Sequence, residues 1–257
     1  MTGTDRPAGE MPPDARIPRP VRGFVFDAVV ALVLATVVTA LLIVAGGIVT
    51  QGGMPPQGRV GTAWWLFVSG VGMGTAALVL YAWRMRATVA ERAASWACAR
   101  QARTWRLAFL VAGAVFAGTQ ALSFLVERAG WQLDPSNLDL IRRGLMTQPA
   151  FVVVFATLLV PAYEELLFRR VLLGRFLAAG RPWLGLVLSS ALFALMHEIP
   201  GATANPLEAT VALWLVYGGM GVAFGWLYWR TGTLWAPIAA HGLHNLASIH
   251  LLLVAVP

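Results

Sequence analysis

Seven apolar runs dominate the chain. They cover residues 23–49, 62–83, 107–126, 149–179, 183–199, 207–229 and 234–256. About 20 consecutive apolar residues are what a helix needs to cross the hydrocarbon core of a membrane. The chain has 257 residues, of which 58% are hydrophobic and 12% charged, roughly half the charged fraction of a soluble domain. The sequence therefore predicts an all-α polytopic membrane protein with about seven transmembrane helices.

The basic residues indicate how the chain is oriented. All 19 are arginines, and they lie mostly in short segments between the apolar runs. Cytoplasmic loops carry an excess of positive charge, and a cytoplasmic N-terminus places 15 of the 19 arginines on that side. We therefore expect an integral protein of the plasma membrane with its N-terminus in the cytoplasm. Its arginines are expected to contact the lipid bilayer, and no nucleic-acid partner is predicted.

Three features of the N-terminal half carry structural predictions. Residues 1–22 are rich in proline, glycine and charge, which is typical of a disordered tail. Asp27, near the start of the first run, is expected at the membrane interface. Residues 84–106 contain six arginines and are expected to lie partly on the membrane surface as an amphipathic helix. The single cysteine, Cys98, excludes an intramolecular disulfide.

The fourth apolar run contains the charged motif Glu164-Glu165-x-x-x-Arg169. A charged side chain within a membrane costs at least about 2.5 kcal/mol, so these residues call for an explanation. Glu165 and Arg169 are four residues apart on one helix face and can neutralise each other. Glu164 is rotated by about 100° and is free to act as a general base. The structural alternative is a helix end with solvated charges at the interface.

Polar residues also interrupt the fifth run. Phe193 and His197 are four residues apart and share a helix face. An isolated histidine in an apolar helix is commonly a hydrogen-bonded packing residue, which is the alternative to a functional role. Glu198 is expected at the interface, because Pro200 and Gly201 end the helix immediately after it.

The seventh run contains His241-Gly-Leu-His244-Asn245. His241 and Asn245 share a face, and His244 is offset from His241 by one turn. The alternative to a functional role is polar contact between helices.

Helix lengths place two of these motifs together. Glu164 lies 16 residues before the predicted turn at Gly180, and His197 lies 17 residues after it. At 1.5 Å per residue both are about 25 Å from the turn. His241 follows its own turn by only nine residues, or about 14 Å. This difference in depth between His241 and the other two residues disappears if the turn at Gly180 projects beyond the membrane.

Two kinds of chemistry fit this set of residues. A glutamate and a histidine at one depth can hold and deprotonate water, while a second histidine and an asparagine stabilise a developing oxyanion. Alternatively, Glu164, His197 and His241 could bind a divalent metal such as zinc, leaving one position open. The sequence contains no H-E-x-x-H motif and does not decide between a metal and no cofactor.

The three motifs, in this order, resemble the CPBP family of intramembrane proteases, which are related to CAAX prenyl endopeptidases and to bacteriocin-processing and immunity proteins. Residues 221–241 also resemble the segment that precedes the last motif of the family. The resemblance covers residues 149–247 and implies an endopeptidase, a hydrolase that has been described both as a metalloprotease and as glutamate-dependent. It implies that Glu164 and His197 activate water and that His241 and Asn245 stabilise the oxyanion, with Glu165, Arg169 and Phe193 in support.

The sequence therefore predicts three regions: a tail of residues 1–22, N-terminal transmembrane helices with an arginine-rich loop at 23–148, and a catalytic core at 149–257. The expected partner is a membrane-associated or lipidated peptide or protein, cleaved near the cytoplasmic face. A non-proteolytic scaffold or immunity-type protein is the alternative. A proton-coupled transporter is disfavoured because no internal repeat is visible.

Overall fold

The protein is all-helical, as the sequence predicts. The computed structural model describes residues 19–49, 59–201 and 205–255, and this part contains nine helices and no strand. The helices are α1 (Pro20–Val49), α2 (Arg59–Arg84), α3 (Val89–Ala99), α4 (Ala102–Arg128), α5 (Leu138–Thr147), α6 (Pro149–Ala178), α7 (Pro182–His197), α8 (Leu207–Thr231) and α9 (Trp235–Ala255).

The expected membrane spans are present. Six of the described helices, namely α1, α2, α4, α6, α8 and α9, are long and apolar enough to cross a membrane. The fifth predicted run forms the shorter helix α7, which has 16 residues. Most of the predicted disordered tail, residues 1–18, lies outside the described part, and residues 20–22 already belong to α1.

A separate helix, α3, forms in only part of the arginine-rich segment 84–106. From residue 102 onward this segment already belongs to α4. The α3 helix starts with a capping box in which Thr88 and Glu91 satisfy each other's backbone N–H groups. Arg170 of α6 donates to Glu91 at 3.1 Å. The rings of Trp96 and Trp235 lie 5.2 Å apart, so α3 is held against both α6 and α9.

The predicted position of Asp27 at the membrane interface stays a prediction, but its side chain is not solvated. Its side chain is fully buried, with Oδ1 accepting from Arg84 Nε at 2.9 Å and Oδ2 accepting from Arg175. Otherwise α1 is largely exposed, and its buried residues are Pro20, Phe24, Asp27 and Ala31. The aspartate thus joins α1 to α2 and to the end of α6 through paired charges, which is the usual condition for a buried carboxylate.

Successive long helices run in opposite directions, so the bundle has two distinct ends. We call one the arginine end; it carries α3 and the turns at 179–181 and 232–234, and there the rings of Trp183 and Trp229 pack 5.1 Å apart. We call the other the α5 end; it carries α5, the connection 129–137 and residues 198–201 and 205–206. Helix α6 passes through the middle and packs against α2, α7 and α9.

Candidate active site

Helix α6 presents two adjacent carboxylates near the centre of the bundle. The pair expected from the four-residue spacing is formed, with Arg169 Nε 2.7 Å from Glu165 Oε2 and both side chains fully buried. Neither charge reaches solvent, so each requires the other. The alternative of solvated charges at a helix end is therefore wrong for this pair.

Glu164 faces two imidazole rings. Its Oε1 lies 4.0 Å from His197 Nε2, and its Oε2 lies 3.9 Å from His241 Nε2. The predicted hairpin thus brings Glu164 and His197 to one depth, and His241 joins them despite its shorter distance from a turn. Two of the predicted site residues, His197 and His241, therefore converge on the carboxylate of a third, Glu164.

The orientation of each imidazole is set through its other nitrogen. His197 Nδ1 lies 2.8 Å from the Phe193 carbonyl oxygen, and His241 Nδ1 lies 3.0 Å from Glu165 Oε1. A carbonyl and an ion-paired carboxylate only accept hydrogen bonds, so Nδ1 is the donor in both rings. Each Nε2 consequently points to Glu164. The contact between Glu165 and His241 was not predicted from the sequence.

Aromatic rings hold both imidazoles in place. The His197 ring lies between Phe193 and Tyr217, with 4.3 Å between ring centroids on each side. Phe224 stacks on His241 at 5.0 Å. Phe193 is fully buried, and its supporting role stays a prediction. Tyr217 and Phe224 were missed because an aromatic residue in an apolar helix carries no distinguishing sequence signal.

Asn245 is positioned by an irregularity in α6. Residues Phe155–Leu159 form a π-helical turn, in which the Val160 N–H reaches the Phe155 carbonyl. The next donor in that pattern would be Pro161, which has no N–H. The Ala156 carbonyl instead accepts from Asn245 Nδ2 at 2.8 Å. The proline therefore creates the acceptor that orients the asparagine.

Gly242 lets α9 approach α6 closely enough for these contacts. A Cβ at this position would overlap the carbonyl oxygen of Thr157. Only a residue without a side chain fits, and it lies between the two functional candidates His241 and Asn245.

Four of the site residues, Glu164, His197, His241 and Asn245, line one cavity of about 380 Å³, which His244 also lines. Ligand pockets typically measure about 300–1,000 Å³. Most of the other lining residues are apolar, and they come from α2, α5, α6, α8 and α9. The carboxylate of Glu164 and the three imidazoles therefore lie in a chamber whose lining is mostly apolar.

Part of the chain matches a known protein family. Residues 146–247 match the family described as Type II CAAX prenyl endopeptidase Rce1-like. This match confirms the resemblance drawn from the three motifs, and every candidate site residue lies within the Rce1-like segment. The preceding 145 residues are outside the match.

A curated relative of the chain is also named as a peptidase. The chain is 27% identical over 112 residues to the Bacillus subtilis (strain 168) protein named "Putative membrane peptidase YdiL". The alignment covers 44% of this chain and 41% of YdiL, so the chain spans less than half the length of that relative. No solved structure matches the chain.

The geometry of Glu164, His197 and His241 also bears on the alternative metal site. Zinc lies about 2.0–2.2 Å from imidazole and carboxylate ligands, so two ligand atoms of one tetrahedral zinc are about 3.4 Å apart. The two Nε2 atoms are separated from the Glu164 oxygens by 3.9 and 4.0 Å, and no group of three His, Cys, Asp or Glu side chains within the described ranges is placed to hold a metal. The predicted set of Glu164, His197 and His241 does not form such a site, and no step below uses a metal.

The position of Glu198 at the membrane interface stays a prediction, but its side chain is not solvated. Its side chain is fully buried, and Oε1 accepts the Ser136 N–H at 2.8 Å. Ser136 Oγ also donates to the His197 carbonyl at 3.0 Å. Glu198 therefore ties the connection between α4 and α5 to the end of α7, directly beside the catalytic candidate His197.

Proposed function

We propose that the chain is an intramembrane endopeptidase that hydrolyses a peptide bond in a membrane-associated protein or peptide. The observation that carries this proposal is the convergence of Glu164, His197 and His241 in an apolar chamber. The family match and the peptidase relative support the same class of activity. The proposal places the protein in the plasma membrane with the arginine end in the cytoplasm.

Glu164 and His197 have the spacing needed to hold a water molecule. Their facing atoms, Oε1 and Nε2, are 4.0 Å apart, and a water oxygen can lie about 2.8 Å from both. Both atoms accept hydrogen bonds, so the water donates one hydrogen bond to each of them. Its lone pairs are then free to attack a carbonyl carbon in the chamber, and Glu164 serves as the general base.

The rest of the reaction needs hydrogen-bond donors for the oxyanion and a proton for the leaving amine. As the water oxygen bonds to the carbonyl carbon, its proton passes to Glu164 and an oxyanion forms. His241 Nε2–H and the second N–H of the Asn245 amide donate to this oxyanion. Glu164 returns its proton to the leaving amine when the C–N bond breaks.

Charge balance supports the donor role of His241. Glu164 and Glu165 contribute two negative charges to the buried cluster, and Arg169 contributes one positive charge. A protonated His241 makes the cluster neutral, which lowers the cost of burying its charges. In that form Nδ1 donates to Glu165 and Nε2 presents its proton toward Glu164 and the chamber.

The proposal is tested by comparing the membrane peptides of cells that express the wild type or Glu164→Gln. We expect at least one uncleaved membrane protein to accumulate in the variant and its cleavage products to disappear. The substitution keeps the size of the side chain, and unchanged thermal unfolding in detergent would confirm that the fold is retained. Identical peptide profiles from the two strains would contradict the proposal.

A further inference from the structure

The active-site chamber extends toward the α5 end of the bundle. Residues Leu133, Pro135 and Asn137, from the connection between α4 and α5, line it together with Leu138 of α5. A second cavity of about 830 Å³ adjoins the first at this end. The two share Thr119, Leu133, Pro135, Leu138, Ser248 and Leu252. We call this second cavity the vestibule.

The vestibule differs from the chamber in chemistry. It is lined by charged and amide side chains, namely Gln120, Glu127, Gln132, Asp134 and Arg142. An extended peptide has polar backbone groups that must be hydrated or bonded, and the vestibule provides partners for them. The apolar chamber suits hydrophobic side chains next to the scissile bond. The pair of cavities therefore fits a peptide that enters from an aqueous end and inserts apolar residues.

The route toward the arginine end is filled. Between the two carboxylates and the arginine end, α6 contributes four fully buried side chains, namely Arg169, Val171, Leu172 and Phe176. A separate cavity at that end is lined by Glu91, Trp96, Arg170 and Tyr228 among others. Within the ranges that the structure describes, this cavity and the active-site chamber have no lining residue in common.

From these positions we infer that the substrate reaches the site through the vestibule, from the non-cytoplasmic side of the membrane. The inference rests on the proposed endopeptidase function and on the arginine distribution, which marks the opposite end as cytoplasmic. It differs from the sequence-based expectation of cleavage near the cytoplasmic face. The substrate class is thus a peptide segment exposed at the outer leaflet, with apolar residues around the cleaved bond.

Single cysteines test the route without requiring catalysis. In a Cys98→Ser background, Ser248→Cys lies at the boundary between chamber and vestibule. Gln132→Cys marks the vestibule, and Arg100→Cys marks the arginine end; both positions are exposed. A charged, membrane-impermeant maleimide is applied to intact cells and to inverted membrane vesicles, with Leu252→Cys as a second boundary position.

We expect Gln132→Cys and Ser248→Cys to be labelled in intact cells and protected in inverted vesicles, with the reverse for Arg100→Cys. Labelling of Ser248→Cys from the same side as Arg100→Cys would overturn the inference, as would cytoplasmic labelling of Gln132→Cys. Protection of both boundary cysteines from both sides would also overturn it. The pattern is expected to persist with Glu164→Gln, so a failure of the route is distinguishable from a failure of the proposed activity.

Discussion

The Glu165 carboxylate bonds to His241 Nδ1 at 3.0 Å while it pairs with Arg169 at 2.7 Å. One buried carboxylate therefore serves both a charge on its own helix and an imidazole on α9. In the proposed mechanism, Glu165 therefore positions His241 and does not itself react.

Glu165→Gln is expected to damage stability and activity for different reasons. It leaves Arg169 as an unpaired buried charge, which costs about 3–5 kcal/mol, and it removes the carboxylate that orients His241. The double variant Glu165→Gln/Arg169→Met is expected to recover most of the stability but not the activity. Thermal unfolding in detergent and the initial rate of peptide cleavage measure the two effects. A double variant with the wild-type kcat would show that Glu165 has no positioning role.

Gly242→Ala is expected to move α9 away from α6. The added methyl would overlap the Thr157 carbonyl, and overpacking of this kind costs about 1–3 kcal/mol. Because His241 and Asn245 flank the contact, kcat should fall as well. Gly219→Ala is the matched control: a Cβ there meets nothing within 4 Å, and the change should stabilise α8 by up to about 1 kcal/mol. Equal unfolding temperatures for the two variants would argue against the close contact.

Asp27→Asn is expected to loosen α1. The substitution removes the partner of Arg84 and Arg175, and breaking a buried ion pair costs about 3–5 kcal/mol. Asp139→Asn serves as the control, because its pair with Arg143 is largely exposed and such pairs contribute about 0–1 kcal/mol. Chemical unfolding in detergent measures both changes. A loss for Asp27→Asn no larger than that of the control would contradict a structural role for this aspartate.

The attachment of α3 is expected to weaken in acid. Partial burial disfavours the charged form of Glu91, but the Thr88 N–H and the charge of Arg170 outweigh it, so the pKa of Glu91 lies below the usual value of 4.5. Its contribution to stability is therefore complete above about pH 4.5 and is lost as the pH falls through the lowered pKa. A nitroxide on Cys98 should remain immobile from pH 7 to 5 and gain mobility below pH 4.5.

Glu91→Gln provides the control for this measurement. It removes the titrating group, so the nitroxide is expected to be more mobile at neutral pH and to change little down to pH 4. A wild-type nitroxide that is already as mobile at pH 7 as the nitroxide in Glu91→Gln would show that the contact with Arg170 does not hold α3.

The sequence was sufficient for the fold and for part of the site. Apolar run length identified the membrane helices, and the four-residue spacing identified the pair of Glu165 and Arg169. Counting residues from Gly180 placed Glu164 and His197 together, because both belong to one helical hairpin. These properties depend on distance along a helix, which a sequence reports directly.

Other features depend on how separate helices are rotated and packed. The contact of Glu165 with His241 requires the close approach at Gly242 and the π-helical turn of α6, which no residue spacing reveals. Glu198 accepts from Ser136, which lies 62 residues away, so its burial could not be anticipated. The boundary predicted at residue 149, between the N-terminal helices and the catalytic core, stays a prediction. Three residues from before it, Leu66, Ser69 and Thr119, also line the chamber.

The central claim is that Glu164 is the general base of a peptide hydrolase. It is tested most directly by purifying the wild type, Glu164→Gln and Asp139→Asn and measuring cleavage of the peptide that accumulates in Glu164→Gln cells. We predict that the wild type and Asp139→Asn cleave at similar rates, and that Glu164→Gln loses at least about 100-fold in kcat, in line with general-base catalysis. Wild-type cleavage by a correctly folded Glu164→Gln protein would contradict the account.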